Sequence, residues 1–259
     1  MCGLLGIILK NKNFYNKESF LKSLDSINHR GPDFQNYVEY EKNDYKFFFG
    51  HTRLSILDTS SLGNQPMYSH SKRYLIIFNG EIYNHKKIRK IIESKVAIKW
   101  KSNSDTETLI NFIEHFDIDY VLKNLSGMFS FLIYDFKDEK LFFSRDIAGE
   151  KPLYYSRVGN KFYFSSEAKA IKKVCNNSVV KNKTINALQH CVEDTLWKNV
   201  YQLMPGHYLT LNLKNLRTDI FEYWNFKKIK IDPKEPEEQL HELLKKSLKL
   251  RLRSDVDFG

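Results

Sequence analysis

The sequence holds only three cysteines, Cys2, Cys175 and Cys191. So sparse and odd a set makes no disulfide framework, and it predicts a reducing, cytoplasmic setting. No CxxC, HExxH or clustered Cys/His spacing occurs, so no metal site is expected. Long apolar runs are also missing. The opening GLLGIIL (3–9) is too short to span a bilayer and lacks the basic segment that precedes a signal peptide's apolar region. There are no internal repeats and no low-complexity tracts.

The net charge of +10 is not gathered into a basic block. Lysines come in scattered pairs, as at Lys86-Lys87, Lys172-Lys173 and Lys245-Lys246, with acids between them. That distribution describes a solvated basic surface. Neither nucleic acid nor a membrane is expected as a partner. With 259 residues the chain can bury a sizeable core, and 42% hydrophobic with 28% charged residues is ordinary for a globular protein.

Residues 2–9 read as a buried strand, and 17–27 carry apolar residues at helical spacing. NHRGPDF breaks that pattern as a loop. Residues 45–58 read as strand, kink, strand, and 73–84 as a strand ending in an Asn-Gly turn. A helix follows over 85–95. In SDTE, Ser104 stands as an N-cap with Glu107 at capping-box spacing, so a helix is expected over 104–116. Two hairpins are predicted, over Lys137-Asp138-Glu139 and over Gly159-Asn160. Further helices are expected near 167–174 and 184–194, and a strand over 206–213. After Trp224 a charged, proline-bearing stretch reads as a linker. An amphipathic helix over 237–252 then carries Leu240, Leu243, Leu244, Leu248 and Leu250 on one face. The domain reading is residues 2–226, followed by a linker and helical tail over 227–259.

Several stretches carry residues that folding alone does not demand: MCG (1–3), HRGPD (29–33), HTRLSILD (51–58), GNQPM (63–67), FNGEIYNH (78–85), SDTE (104–107) and RDIAGEKPLYY (145–155). Each alone is weak, since NGE can be a turn and SDTE a cap. In this order the chain resembles the class II glutamine amidotransferase domain of the glutamine-hydrolysing asparagine synthetases, an N-terminal-nucleophile type. PGHYL (205–209) and EYW (222–224) fit the end of the same domain.

The resemblance implies an α+β fold, a four-layer αββα sandwich of two antiparallel sheets. It also implies catalytic residues Cys2, Asn79 and Gly80. Loss of Met1 would leave Cys2 with both a thiol and a free α-amine, so one residue supplies nucleophile and base. Asn79 and Gly80 would donate to the oxyanion. Glutamine is the implied substrate, its α-carboxylate met by the planar fork of Arg53 and its α-ammonium by Asp105 and Glu81. Backbone groups of Leu54, Ser55, Ile56 and Leu57 would line the pocket. Arg30 and Asp33 are expected to hold the loop beside Cys2. His29 and His51 are not expected to be catalytic, and Cys175 and Cys191 are expected to be structural.

No cofactor is implied for this step. ATP and Mg belong, in the family, to a synthetase domain recognised by an SGGxDS loop. No SGG occurs here, and Asp257 stands where the family usually has proline. The chain is therefore expected to be a fragment, or the product of a truncated or split gene, working with a missing synthetase domain or a separate subunit. A homodimer stays open. An inactive remnant, or an amidotransferase serving a different ammonia acceptor, are the alternatives. Trimming near residue 230 is expected to improve solubility and spare activity.

Overall fold

The computed structural model describes residues 1–10, 17–175, 193–215, 217–225 and 236–257. Their strands form two six-stranded antiparallel sheets. Around the central strand β1 (Gly3–Lys10), the first sheet places β2 (Phe34–Lys42), β3 (Tyr45–Arg53), β8 (Tyr154–Val158), β9 (Lys161–Ser165) and β10 (Val200–Gln202), in the order β10-β8-β9-β1-β3-β2. The second comprises β4 (Met67–Tyr68), β5 (Tyr74–Ile82), β6 (Gly127–Asp135), β7 (Lys140–Arg145), β11 (His207–Asn212) and β12 (Arg217–Glu222), in the order β12-β11-β7-β6-β5-β4.

The period-2 alternation of the strands builds the layers. Leu4 and Ile8 of β1, Phe47 and Phe49 of β3, and Leu75 and Ile77 of β5 meet between the sheets. The intervening Leu5, Ile7 and Leu9 face the other way, onto α1 (Lys17–Asp25) and α5 (Ala168–Cys175). Tyr74, Ile76 and Phe78 face α2 (His85–Glu93), α3 (Asp105–His115) and α4 (Ile118–Asn124). Each central strand is thus apolar on both faces, which is why its sequence reads as a continuous apolar run. Burying each such side chain contributes about 1.5–3 kcal/mol. The result is the expected αββα sandwich.

Two expectations need correction, and one strand was not expected. The strand over residues 74–82 runs straight through Asn79-Gly80 rather than turning there, because that dipeptide is paired along β6, Asn79 with Ser130 and Gly80 with Phe129. β3 stops at Arg53, and residues 54–58 form no second strand. The carbonyls of Leu57 and Asp58 accept from the Arg53 side chain instead. The strand β2 went unforeseen, since FQNYVEYEK is a mostly exposed edge strand without clean alternation.

Ser104 accepts from the Glu107 N–H at 3.1 Å, as the capping spacing predicts. Both predicted hairpins form. The linker 227–235, Cys191 and most of the helix expected at 184–194 lie outside the described residues. Cys175 ends α5 and packs beside the first sheet's helical layer. The helix α6 (Pro236–Arg251) has no buried residue, and Leu240, Leu243, Leu244 and Leu248 are exposed. Among the described residues no helix is long and apolar enough to cross a membrane.

Candidate active site

The same alternation that fills the core opens a cleft at one end of the sandwich. Cys2 continues the inward parity of Leu4 and Ile8, and Arg53 that of Phe47 and Phe49. Asn79 continues that of Leu75 and Ile77. Where the apolar positions stop, polar ones take over. A cleft lies there, lined by Met1, Cys2, Arg53, Leu54, Ile56, Leu57, Asn79, Gly80, Glu81, Asp105, Met128 and Lys151, with Gly63, Gln65, Phe78, Ser104 and Thr106.

The Cys2 sulfur is held at the wall by Leu54, whose N–H reaches Sγ at 3.4 Å while the thiol faces the Leu54 carbonyl at 3.7 Å. Burial pushes the thiol's pKa up, outweighing the Leu54 N–H that favours the thiolate. The neighbouring α-amine, here on Met1, is pushed below its ordinary value by burial, with Lys151 and Arg30 adding to the effect. Arg30 fixes this end of the chain: Nε donates to the Cys2 carbonyl at 2.9 Å and Nη1 reaches Glu167 at 3.2 Å.

Asn79 is almost fully buried, and its Nδ2 has no hydrogen-bond partner among the described residues. A buried, unpaired amide donor costs about 1–3 kcal/mol, so its presence in a cleft marks a place kept for an acceptor. Gly80 adds a second donor by strand parity. The Phe78 N–H on one side goes to Gln65 Oε1 at 2.6 Å, and the Ile82 N–H on the other to Asp105 Oδ2 at 2.8 Å. Residue 80 shares their parity, so its N–H turns to the same edge, away from β6. A Cβ at Gly80 would lie 2.1 Å from the Met128 carbonyl, with φ at +155°, so the approach of β6 excludes other residues.

Asp105 opens α3 and is buried. Burial pushes its pKa up to about 7, against the Ile82 N–H bond and with the Glu81 charge adding to the rise. Glu81 is also raised by burial, opposed by Lys151. Arg53 lines the cleft while its Nη atoms organise the loop beyond β3. Nη1 donates to Ser60 O at 2.7 Å and Asn64 Oδ1 at 2.6 Å, and Nη2 to the Asp58 carbonyl. Gly63 leaves room for it, since a Cβ there would stand 2.2 Å from Nη2.

Nine of the ten residues expected at the site line the cleft. Ser55 does not: its N–H is tied to Asp33 Oδ2 at 2.7 Å, which braces the rim. His51 is buried against the Phe78 carbonyl at 3.0 Å, and burial lowers its pKa to about 4, so it stays neutral near pH 7. His29 pairs with Glu167 at 2.9 Å. Lys151 and Met128 were not anticipated. Lysine is frequent throughout this chain, and nothing in its spacing separates a buried one from the rest. The signal lay in the acid that opens the loop: Asp146 accepts from the N–H groups of Phe129, Ala148, Glu150 and Lys151 and so folds the RDIAGEKP turn inward.

A family described as the glutamine amidotransferase domain matches residues 1–224. The chain is 33% identical over 286 residues to "Putative asparagine synthetase [glutamine-hydrolyzing] 2" of Methanocaldococcus jannaschii, covering 100% of this chain and 54% of the relative. It is 32% identical to "Asparagine synthetase [glutamine-hydrolyzing] 1" of Bacillus subtilis, covering 100% and 41%. It is also 31% identical to "Amidase chyE" of Penicillium rubens, covering 90% and 35%. The chain thus spans about half or less of these curated relatives. Among solved structures, the glutamine phosphoribosylpyrophosphate amidotransferase of B. subtilis superposes with a TM-score of 0.64 at 19% identity, over 86% of this chain and 49% of that one, a likeness of fold.

Proposed function

The chain belongs to the glutamine amidotransferase domain family, and from that premise we propose that it hydrolyses glutamine to glutamate and ammonia with Cys2 as an N-terminal nucleophile. The observation that carries the reading is Asn79: a buried amide N–H group without a partner among the described residues, lining the cleft that also holds a cysteine thiol. Removal of Met1 frees the Cys2 α-amine. The thiol proton passes to that amine as sulfur attacks the side-chain amide carbon of glutamine. The carbonyl oxygen becomes an oxyanion, met by Asn79 Nδ2 and the Gly80 N–H. The intermediate collapses, the C–N bond breaks, and the amine's proton leaves with ammonia. Water, giving its proton to the amine, then cleaves the thioester to glutamate and restores the thiol.

A thiol whose pKa burial has raised suits this exchange, since the nucleophile forms only as a neighbouring base takes its proton. Arg53 is the cation for the substrate's α-carboxylate, and Asp105 with Glu81 the acids for its α-ammonium. Backbone at Leu54, Ile56 and Leu57 forms the wall between them. We further propose that the ammonia serves an ATP-dependent conversion of aspartate to asparagine, carried by a synthetase domain or subunit that also binds ATP and Mg. The length of the relatives supports this. The likeness to Amidase chyE favours a second reading, ammonia delivered to a different acceptor. Glutamate release from glutamine tests the core reading: the chain with Cys2 at its N-terminus turns over, and Cys2→Ala does not. Equal rates in the two would overturn it.

A further inference from the structure

The segment that follows α6 turns back onto the mouth of the cleft. The Asp255 N–H donates to the Ile56 carbonyl at 2.9 Å, and the Asp58 N–H donates to Asp255 Oδ2 at 2.8 Å. Arg253 Nη1 donates to the Tyr83 carbonyl. Arg251 Nη2 reaches Glu150 Oε1 at 3.2 Å, and its guanidinium lies 5.2 Å over the Tyr83 ring. The contacts fall on three separate parts of the rim: the loop after β3, the turn after β5, and the loop that carries Lys151.

Asp58 is the junction. Its carbonyl accepts from Arg53 Nη2, and one carboxylate oxygen accepts from the Asn103 N–H at 2.7 Å, just ahead of the Asp105 helix. Its N–H is the bond taken by Asp255. The neighbours Ile56 and Leu57 line the cleft. No strand or helix holds this stretch, so its position depends on bonds from other segments to its carbonyls and N–H groups. Asp255 supplies two of them in opposite senses, its backbone N–H to the Ile56 carbonyl and its carboxylate to the Asp58 N–H. The preceding helix presents exposed leucines and no buried residue, so polar contacts at 251–255 make the attachment.

We propose that Arg251–Asp255 is a clip that sets the outer wall of the glutamine cleft, with Asp255 as its positioning residue. The effect on substrate rests on the glutaminase reading above. The coupling runs both ways: a clip that steadies the wall for glutamine is itself steadied when glutamine is bound. Whatever displaces the tail is then felt at the substrate. By this proposal, trimming near residue 230 removes the clip and raises KM for glutamine.

Four full-length proteins test the proposal: wild type, Asp255→Ala, Asp255→Asn and, as a control on the exposed helix face, Leu243→Ala. Each is measured by amide hydrogen exchange over residues 54–60 and by glutamine hydrolysis. Asp255→Ala is expected to raise exchange there about tenfold and KM for glutamine about fivefold, with kcat within about twofold, the size of one lost charge-assisted bond near the surface. Asp255→Asn keeps an acceptor oxygen for the Asp58 N–H and restores both values. Leu243→Ala leaves both unchanged. Unaltered exchange in Asp255→Ala overturns the clip whatever the activity. Faster exchange with an unchanged KM overturns its link to the substrate. Absence of turnover in wild type counts against the glutaminase reading, and the exchange data still decide the clip.

Discussion

Leu54 grips the Cys2 sulfur with its own backbone, the N–H at 3.4 Å from Sγ and the carbonyl at 3.7 Å. Both bonds depend on β3 ending at Arg53, so that the next residue is free to turn its backbone toward β1. The grip places the thiol; it does not ionise it, because burial outweighs the N–H bond. A base is therefore required, and in the proposed reaction it is the Cys2 α-amine freed by loss of Met1.

An added residue in front of Cys2, placed so that it is retained, should abolish that base. Turnover of glutamine is expected to fall by about 10²–10⁴-fold, the usual worth of a positioned general base. The thiol should still react with a simple alkylating agent. Full turnover by the extended protein would remove the amine from the mechanism.

Asn79→Ala separates catalysis from stability. The loss of an oxyanion donor is expected to lower kcat about 10²–10³-fold. Thermal stability should hold or rise, because the change deletes a buried donor that has no partner among the described residues. A large drop in Tm would mean that the amide supports the fold instead.

Much of this was legible in the sequence because the apolar alternation of β1, β3 and β5 runs directly into the polar site positions. Cys2, Arg53 and Asn79 inherit their direction from Leu4, Phe49 and Ile77. What stayed hidden was set by tertiary contact. Asn-Gly reads locally as a turn, yet pairing with Ser130 and Phe129 keeps it extended. Lys151 is buried by a loop that Asp146 folds, and Asp255 meets Asp58 across 197 residues of chain, a contact that no local pattern announces.

Asp105 should give glutamine binding a pH dependence. Its carboxyl is held at about 7 by burial, so it is half neutral at pH 7 and ionises above it. An ionised Asp105 attracts the substrate's α-ammonium, and KM is expected to fall as pH rises from about 6 to 8. In Asp105→Asn that trend should flatten, with KM raised at the alkaline end. For stability the sign is opposite. The folded chain holds this proton more tightly than the unfolded one, so the carboxyl favours the fold at low pH, and that contribution is lost as pH rises through about 7.

Gly80→Ala tests the close approach of β6. The new Cβ would stand 2.1 Å from the Met128 carbonyl and 2.7 Å from the Phe129 Cα, both backbone. A loss of about 1–3 kcal/mol is expected from a clash of this kind, read as a drop in Tm. An unchanged Tm would show that β5 and β6 can part there at little cost.

The central claim is that the N-terminal cysteine of the processed chain attacks the side-chain carbon of glutamine. The most direct measurement is mass spectrometry of the N-terminal peptide after incubation with a glutamine analogue that carries an electrophilic carbon in place of its side-chain amide. The account predicts one adduct per active chain, on the sulfur of Cys2, in a peptide that begins at Cys2 with Met1 absent. An adduct on Cys175 or Cys191, or inactivation of chains that retain Met1, would contradict it.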